Sequence, residues 1–202
     1  MKFWAPDAGR SVTYRRLIPI YFCGILGPFG GTVMSPMIPE LRDSFDTSTA
    51  TVAWGIGAFF FPFAGLLLVS GTLGERWGRQ RTIRVAVTLY AVASLICAIS
   101  PSLWVFFAGR AAQGSFNAFM TPLLIAALTD AAPKDRVGRT IGTYASFQAI
   151  GGVLGMLFGG IAADVGWRWA FVIVAIAALA LSVNLPKVPM VSRSKNLGLR
   201  SV

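Results

Sequence analysis

The sequence predicts an all-α membrane protein, a bundle of six transmembrane helices, and three observations predict it. Of 202 residues, 55% are hydrophobic and only 13% charged, about half the charged share of a soluble domain. The apolar residues gather into six segments of roughly 17 to 27 residues, each long enough to cross a hydrocarbon core about 30 Å thick. The Lys and Arg residues alternate between rich and poor connectors, as the positive-inside rule requires of a chain that crosses an even number of times.

Residues 1–16 carry Lys2, Arg10, Arg15 and Arg16 and are expected to form a cytoplasmic tail. The first apolar segment, Leu17 to Pro39, exceeds a signal peptide's apolar region and lacks a clear cleavage site, so it reads as a retained helix. It contains Gly24, Gly27-Pro28, Gly30-Gly31 and Ser35-Pro36. Such breakers are tolerated where neighbouring helices or a water-filled cavity satisfy the freed backbone groups, and a bend beside such a cavity is expected. Only Arg42 precedes the second segment, Ala50 to Ser70. Arg76, Arg79, Arg81 and Arg84 crowd the start of the third, Thr82 to Ile99. No basic residue separates this from the fourth, Leu103 to Thr129.

Lys134, Arg136 and Arg139 lead into the fifth segment, Thr140 to Ala163. Arg168 alone precedes the sixth, Trp169 to Leu185, and Lys187, Arg193, Lys195 and Arg200 follow it. Residues 17–187 therefore read as one six-helix domain and 188–202 as a second cytoplasmic basic tail, in a multi-pass protein of the cell membrane. Trp54, Trp104, Trp167 and Trp169 fall at segment ends and are expected at headgroup level.

The formal net charge of +10 does not point to nucleic acid. The basic residues sit in connectors, with no basic helix face and no zinc-type spacing. The chain has no histidine, the commonest metal ligand and proton shuttle, so neither a metal nor a cofactor is expected. Cys23 and Cys97 lie inside apolar segments, where a small soft side chain packs without a partner. No Ser/His/Asp set, phosphate-cradling glycine loop or paired intramembrane carboxylates appear, and an enzyme is not expected.

Four constellations stand out. The stretch Gly71-Thr72-Leu73-Gly74-Glu75-Arg76-Trp77-Gly78-Arg79-Gln80-Arg81 reads as a short, rigid, cationic connector whose glycines turn the chain and whose arginines face anionic lipid. Arg110 lies about two turns inside the fourth segment, where a charge costs several kcal/mol unless it faces protein or water. Gln113, Gly114 and Asn117 share its helix face. That face is either a cavity wall for substrate or protons, to which Gln148 of the fifth segment is added, or a structural arginine capping carbonyls. In the fifth segment Gly142, Gly151, Gly155 and Gly159 are expected to admit another helix closely. Lastly, Gly71, Glu75 and Arg79 share a spacing with Gly160, Asp164 and Arg168, three spans later and on the opposite membrane face, as inverted-topology repeats require.

These motifs resemble the N-terminal half of a major facilitator superfamily transporter, over essentially all six spans. The stretch from Gly71 to Arg81 matches the family's loop motif between helices 2 and 3, with Glu75 where Asp is usual. Arg110-x-x-Gln113-Gly114 is similar to the helix 4 motif, whose arginine is implicated in proton coupling. The glycines from Gly142 to Gly159-Gly160 follow the helix 5 motif of drug-proton antiporters, with Met156 in place of a proline. Gly166-Trp167-Arg168-Trp169-x-Phe171 is typical of the start of helix 6.

The resemblance implies one facilitator-type half built of two three-helix inverted repeats. It implies an inner gate of Gly71, Glu75, Arg76, Gly78, Arg79 and Asp130, and a substrate and proton pathway along Arg110, Gln113, Asn117 and Gln148. The implied function is proton-coupled efflux of a small, drug-like molecule by alternating access. The implied partners are the bilayer, the substrate, protons and a second six-helix half, whether a copy of this chain, a separate polypeptide or a missing C-terminal portion. The alternatives are a non-transporting remnant, a partner-binding membrane subunit, and a proton-coupled sugar or metabolite symporter.

Overall fold

The computed structural model describes residues 17–185, and the two expected tails, 1–16 and 188–202, lie outside the described residues. Helix α1 spans Ile18–Thr32 and begins with Pro19 in its first turn, where a missing N–H costs nothing. A 3₁₀ turn, Ser35–Met37, joins it to the short α2, Ile38–Ser44. Pro36 and Pro39 withhold two N–H donors in close succession, so the i→i−4 ladder cannot run straight through and the first span is a broken helix.

Side chains tie this span to its neighbours. The Tyr90 hydroxyl donates to the Leu26 carbonyl at 2.8 Å, and the Thr32 hydroxyl donates to the Gly152 carbonyl at 2.8 Å. The notches at Gly24, Gly27 and Gly30 are filled by the side chains of Tyr144, Asn117 and Tyr90. Neighbouring helices close this face of α1 at these three glycines.

Helix α3 (Thr49–Arg76) starts at Ser48, whose hydroxyl accepts from the Thr51 N–H at 3.1 Å, satisfying one of the free first-turn donors. Helices α4 (Arg79–Ala98), α5 (Leu103–Ala131), α6 (Val137–Val165) and α7 (Arg168–Asn184) follow. Five spans are long and apolar enough to cross a membrane by themselves, and α7, with 17 residues, is the shorter sixth. At 1.5 Å per residue α7 is about 26 Å long, at the lower limit for a transmembrane helix.

The stretch from Gly71 to Arg81 is mostly helix rather than connector. Gly71, Gly74 and Glu75 belong to the last turns of α3, and only Trp77 and Gly78 link α3 to α4. Gly78 supplies the reversal with φ +92°, a conformation that costs a residue bearing Cβ appreciably more. Gly74 instead serves packing, since a Cβ there would meet Leu123 of α5.

The main packed pairs are α3 with α5, α1 with α6, α4 with α5, and α4 with α7. Exchanging the first three spans for the last three maps the α3–α5 pair onto the α6–α1 pair and the α4–α7 pair onto itself, while the α4–α5 pair has only a slight counterpart in α7 with α1. The bundle therefore has the inverted-repeat arrangement expected from the echoed triplets. Its core runs from Leu26, Phe29 and Met34 through Phe59, Val87 and Tyr90 to Phe106, Leu124 and Phe171.

Candidate functional site

Two polar constellations are embedded in this frame. The first is at the end of the bundle where α3 gives way to α4. Arg79, the first residue of α4, donates from Nη2 to Glu75 Oε1 at 2.6 Å and from Nη1 to Asp130 Oδ2 at 2.5 Å. Glu75 lies one turn earlier on α3 and Asp130 in the last turn of α5, so one guanidinium clamps three helix ends. The Arg79 side chain is 14% exposed, against 56% for Glu75 and 34% for Asp130. The cation is sheltered while its anions stay wet enough to be released. The Arg79 Nε is buried without a partner, so the pair of carboxylates does not exhaust its donors.

The expected gate set is thus brought together at Glu75, Arg79 and Asp130, with Gly78 forming the turn that aims Arg79 at them. Gly71 packs at ordinary distance against Pro122, 3.8 Å from a built Cβ. Arg76 is exposed and makes no ion pair among the described residues.

The second constellation surrounds Arg110, which is wholly buried together with Gln113, while Asn117 is 5% exposed. Arg110 donates from Nε to the Gly55 carbonyl of α3 at 3.3 Å and from Nη1 to Gln113 Oε1 at 2.9 Å. Its guanidinium carbon lies 4.6 Å from the centre of the Phe59 ring, a cation–π contact strengthened by desolvation. Gln113 Nε2 donates onward to Ser94 Oγ of α4 at 2.7 Å, and Ser94 Oγ to the Tyr90 carbonyl at 2.8 Å.

One nitrogen is left over: Arg110 Nη2 is buried with no hydrogen-bond partner. A buried N–H of a charged group left unmet is costly, and a cation without an anion more so.

Of the expected pathway, Arg110 and Gln113 share one network. Asn117 faces α1 through the notch at Gly27. Gln148 sits half-buried on α6, outside the network of Arg110. Arg110, Gln113 and Asn117 all lie inside the bundle. Sequence reasoning missed Ser94, Tyr90 and Cys97, whose thiol approaches Gln113 Oε1 at 3.8 Å. Their signal was a polar face on the third span, since Tyr90, Ser94 and Cys97 are spaced four and three.

The α6 glycines divide. A Cβ at Gly151 would lie 2.5 Å from the Ile25 carbonyl oxygen, one at Gly155 2.6 Å from that of Phe29, and one at Gly159 2.7 Å from Pro36 Cγ. These three let α1 and α6 meet backbone to backbone, as expected. Gly142 does not belong with them, because nothing lies within 4 Å of its Cβ position. It precedes Gly151 by nine residues, a rotation of about 180° at 3.6 residues per turn, and so lies on the opposite face.

Trp167 also departs from expectation. It is 2% exposed, donates its indole N–H to Ser44 Oγ at 3.1 Å, and packs edge-on against Phe106 at a centroid distance of 5.5 Å. Trp54, Trp104 and Trp169 remain exposed.

Comparison with known proteins accords with this architecture. EfpA of Mycobacterium tuberculosis, named as an uncharacterized MFS-type transporter, is 32% identical over 150 residues, covering 74% of this chain and 28% of that protein. The puromycin resistance protein pur8 of Streptomyces alboniger is 30% identical over 189 residues, covering 91% of this chain and 37% of that protein. The crystal structure of a D-xylose-proton symporter superposes with a TM-score of 0.76 at 17% identity, over 89% of this chain and 49% of the symporter, a likeness of fold alone. The chain spans about a third of the length of these curated relatives. The model of the Major Facilitator Superfamily matches residues 20–199. With that match laid over the six-helix inverted repeat, the chain belongs to the major facilitator superfamily.

Proposed function

We propose that this chain is one half of a proton-coupled exporter of small, drug-like molecules, working by alternating access against a second six-helix half. The observation that carries the reading is the clamp of Arg79 on Glu75 and Asp130. It ties together the ends of three helices with contacts that can be made and broken, which a merely structural joint does not need. Both ends of the chain and this clamp are taken as cytoplasmic, from the alternation of basic connectors.

The remaining parts find roles in the same scheme. Helices α3 and α6 are the least buried of the long helices, exposing Phe61 and Leu68 on one and Val153 and Leu157 on the other. These faces receive the second half. No carboxylate lies deep within a span among the described residues, so the acceptor for Arg110 Nη2 comes from the substrate, a water or the second half. The resistance function named for pur8 supports export over uptake.

The test uses inside-out vesicles carrying the full-length natural polypeptide. With the lumen acidified, puromycin or a lipophilic cation is expected to accumulate while protons leave. Arg79→Ala and Arg110→Ala should each lower the flux about tenfold or more at unchanged protein level. Flux that is insensitive to both substitutions sinks the proposal. So does substrate movement without protons, and xylose moving in the same direction as protons indicates a symporter instead.

A further inference from the structure

A groove of about 470 Å³ opens on the bundle surface beside the α3–α4 turn. Its apolar lining includes Trp77, Val85, Leu89, Phe116 and Phe119, and Arg81 stands at its rim. Trp77 is 59% exposed and stacks on Phe119, with ring centroids 6.0 Å apart and planes 20° from parallel. The floor polar group, Thr82, is spent internally, its hydroxyl lying 3.2 Å from the Gly74 carbonyl it donates to. Arg81, unlike Arg79, makes no ion pair among the described residues. The groove thus has one unneutralised cation at one end and only hydrocarbon and aromatic surface beyond it.

From Arg81 to Leu89 along α4 is about 12 Å at 1.5 Å per residue, close to the depth of one leaflet's hydrocarbon, about 15 Å. Trp77 stands in the groove with its indole stacked on Phe119 of the apolar lining. We propose that this groove holds one anionic phospholipid, its phosphate on the Arg81 guanidinium and one acyl chain along Trp77, Val85, Leu89 and Phe119. A zwitterionic lipid would satisfy the apolar surface equally but would bring no net negative charge to Arg81. The site therefore selects by charge at the rim and by length in the groove. It rests on the membrane placement of the bundle and not on the transport reading, so either stands or falls without the other.

The test is fluorescence quenching in bilayers of the full-length protein, using phosphatidylglycerol or phosphatidylcholine brominated on the acyl chain in an otherwise unlabelled background. The Trp77 contribution is the difference between the natural protein and Trp77→Phe. Brominated phosphatidylglycerol is expected to quench it with about fivefold higher apparent affinity than brominated phosphatidylcholine, the preference one basic residue gives at an anionic surface. Arg81→Gln should reduce the ratio to about one, and Arg81→Lys should keep most of it. Inorganic phosphate at millimolar concentration should not compete. Equal quenching by the two lipids in the natural protein overturns the proposal. So do a preference that survives Arg81→Gln, competition by free phosphate, and a Trp77 that neither lipid quenches, which would mean that protein covers the groove.

Discussion

The triplets Gly71, Glu75, Arg79 and Gly160, Asp164, Arg168 occupy related positions in the two repeats, yet they close the two ends of the bundle by different chemistry. At the first end Arg79 binds two carboxylates from two helices. At the second, Arg168 turns away from Asp164, donates to the Ser100 carbonyl at 3.3 Å and lies 4.3 Å over the Trp167 ring. No ion pair of Asp164 is present among the described residues. What holds that end is a cluster of Phe45, Phe106, Trp167 and Phe171, with centroid distances of 5.4 to 6.2 Å. The difference teaches which end can act as a switch. Charged contacts at a partly wet surface exchange readily with water, salt or another charge, whereas an interlocked aromatic cluster must be unpacked as a whole.

The largest expected effect lies at the aromatic end. Trp167→Ala would remove a side chain that is 2% exposed, leaving a cavity among three rings and Ser44 without its donor. A loss of about 3–5 kcal/mol is expected for such a truncation, read as a large fall in thermal stability in mild detergent. Trp167→Phe should retain much of the packing and lose mainly the bond to Ser44. If Trp167→Ala unfolds at the same temperature as the natural protein, the aromatic cluster does not hold that end and the contrast fails.

A smaller cost in stability, with a larger one in transport, is expected at the charged end. Arg79→Ala frees two partly exposed carboxylates, and about 1–2 kcal/mol of stability should go with the clamp. Arg168→Ala is expected to leave transport within about twofold of the natural protein, because one long carbonyl contact and a cation–π contact from an exposed arginine contribute little. Matched measurements of flux and unfolding on the two variants decide the point. Equal transport defects would mean that the related arginines do the same work despite their different surroundings.

Much of this architecture was legible in advance, because the bilayer forces the signal into composition. Six apolar segments became six spans, and the spacing of Gly151, Gly155 and Gly159 marked a real helix contact. The likeness of Glu75, Arg79 and Asp130 to a family motif placed in one ion-pair set three residues of which Arg79 and Asp130 are 51 positions apart. Other features depended on rotation and long-range partners that a linear pattern does not contain. Gly142 shared the glycine motif but not the face. Trp167 sat at a span end like Trp54 and Trp104, and only the approach of α2 and α5 buries it. The polar network of Arg110 drew on Ser94 and Tyr90, a turn apart on α4, whose shared polar face was not singled out in the sequence. In each case the missing information was which neighbour a residue faces, which only the packing of the helices decides.

The finest distinction between the two ends is a coupling energy. In a double-mutant cycle of Arg79→Ala with Asp130→Ala, about 1 kcal/mol of interaction is expected at low ionic strength, since the pair is close and one partner sheltered. It should shrink as salt is raised toward 1 M, where screening acts within about 3 Å. The corresponding cycle of Arg168→Ala with Asp164→Ala should give no coupling beyond experimental error at any salt, because their side chains do not meet. Equal coupling in both cycles would mean that Arg168 swings onto Asp164 in another conformation of the protein. The triplet of Gly160, Asp164 and Arg168 would then be a second clamp, closed when the first one opens, and the two repeats would share one device used in alternation. A single coupled pair, confined to Arg79 and Asp130, would instead leave the charged switch to one end and the aromatic cluster as the fixed point against which it moves.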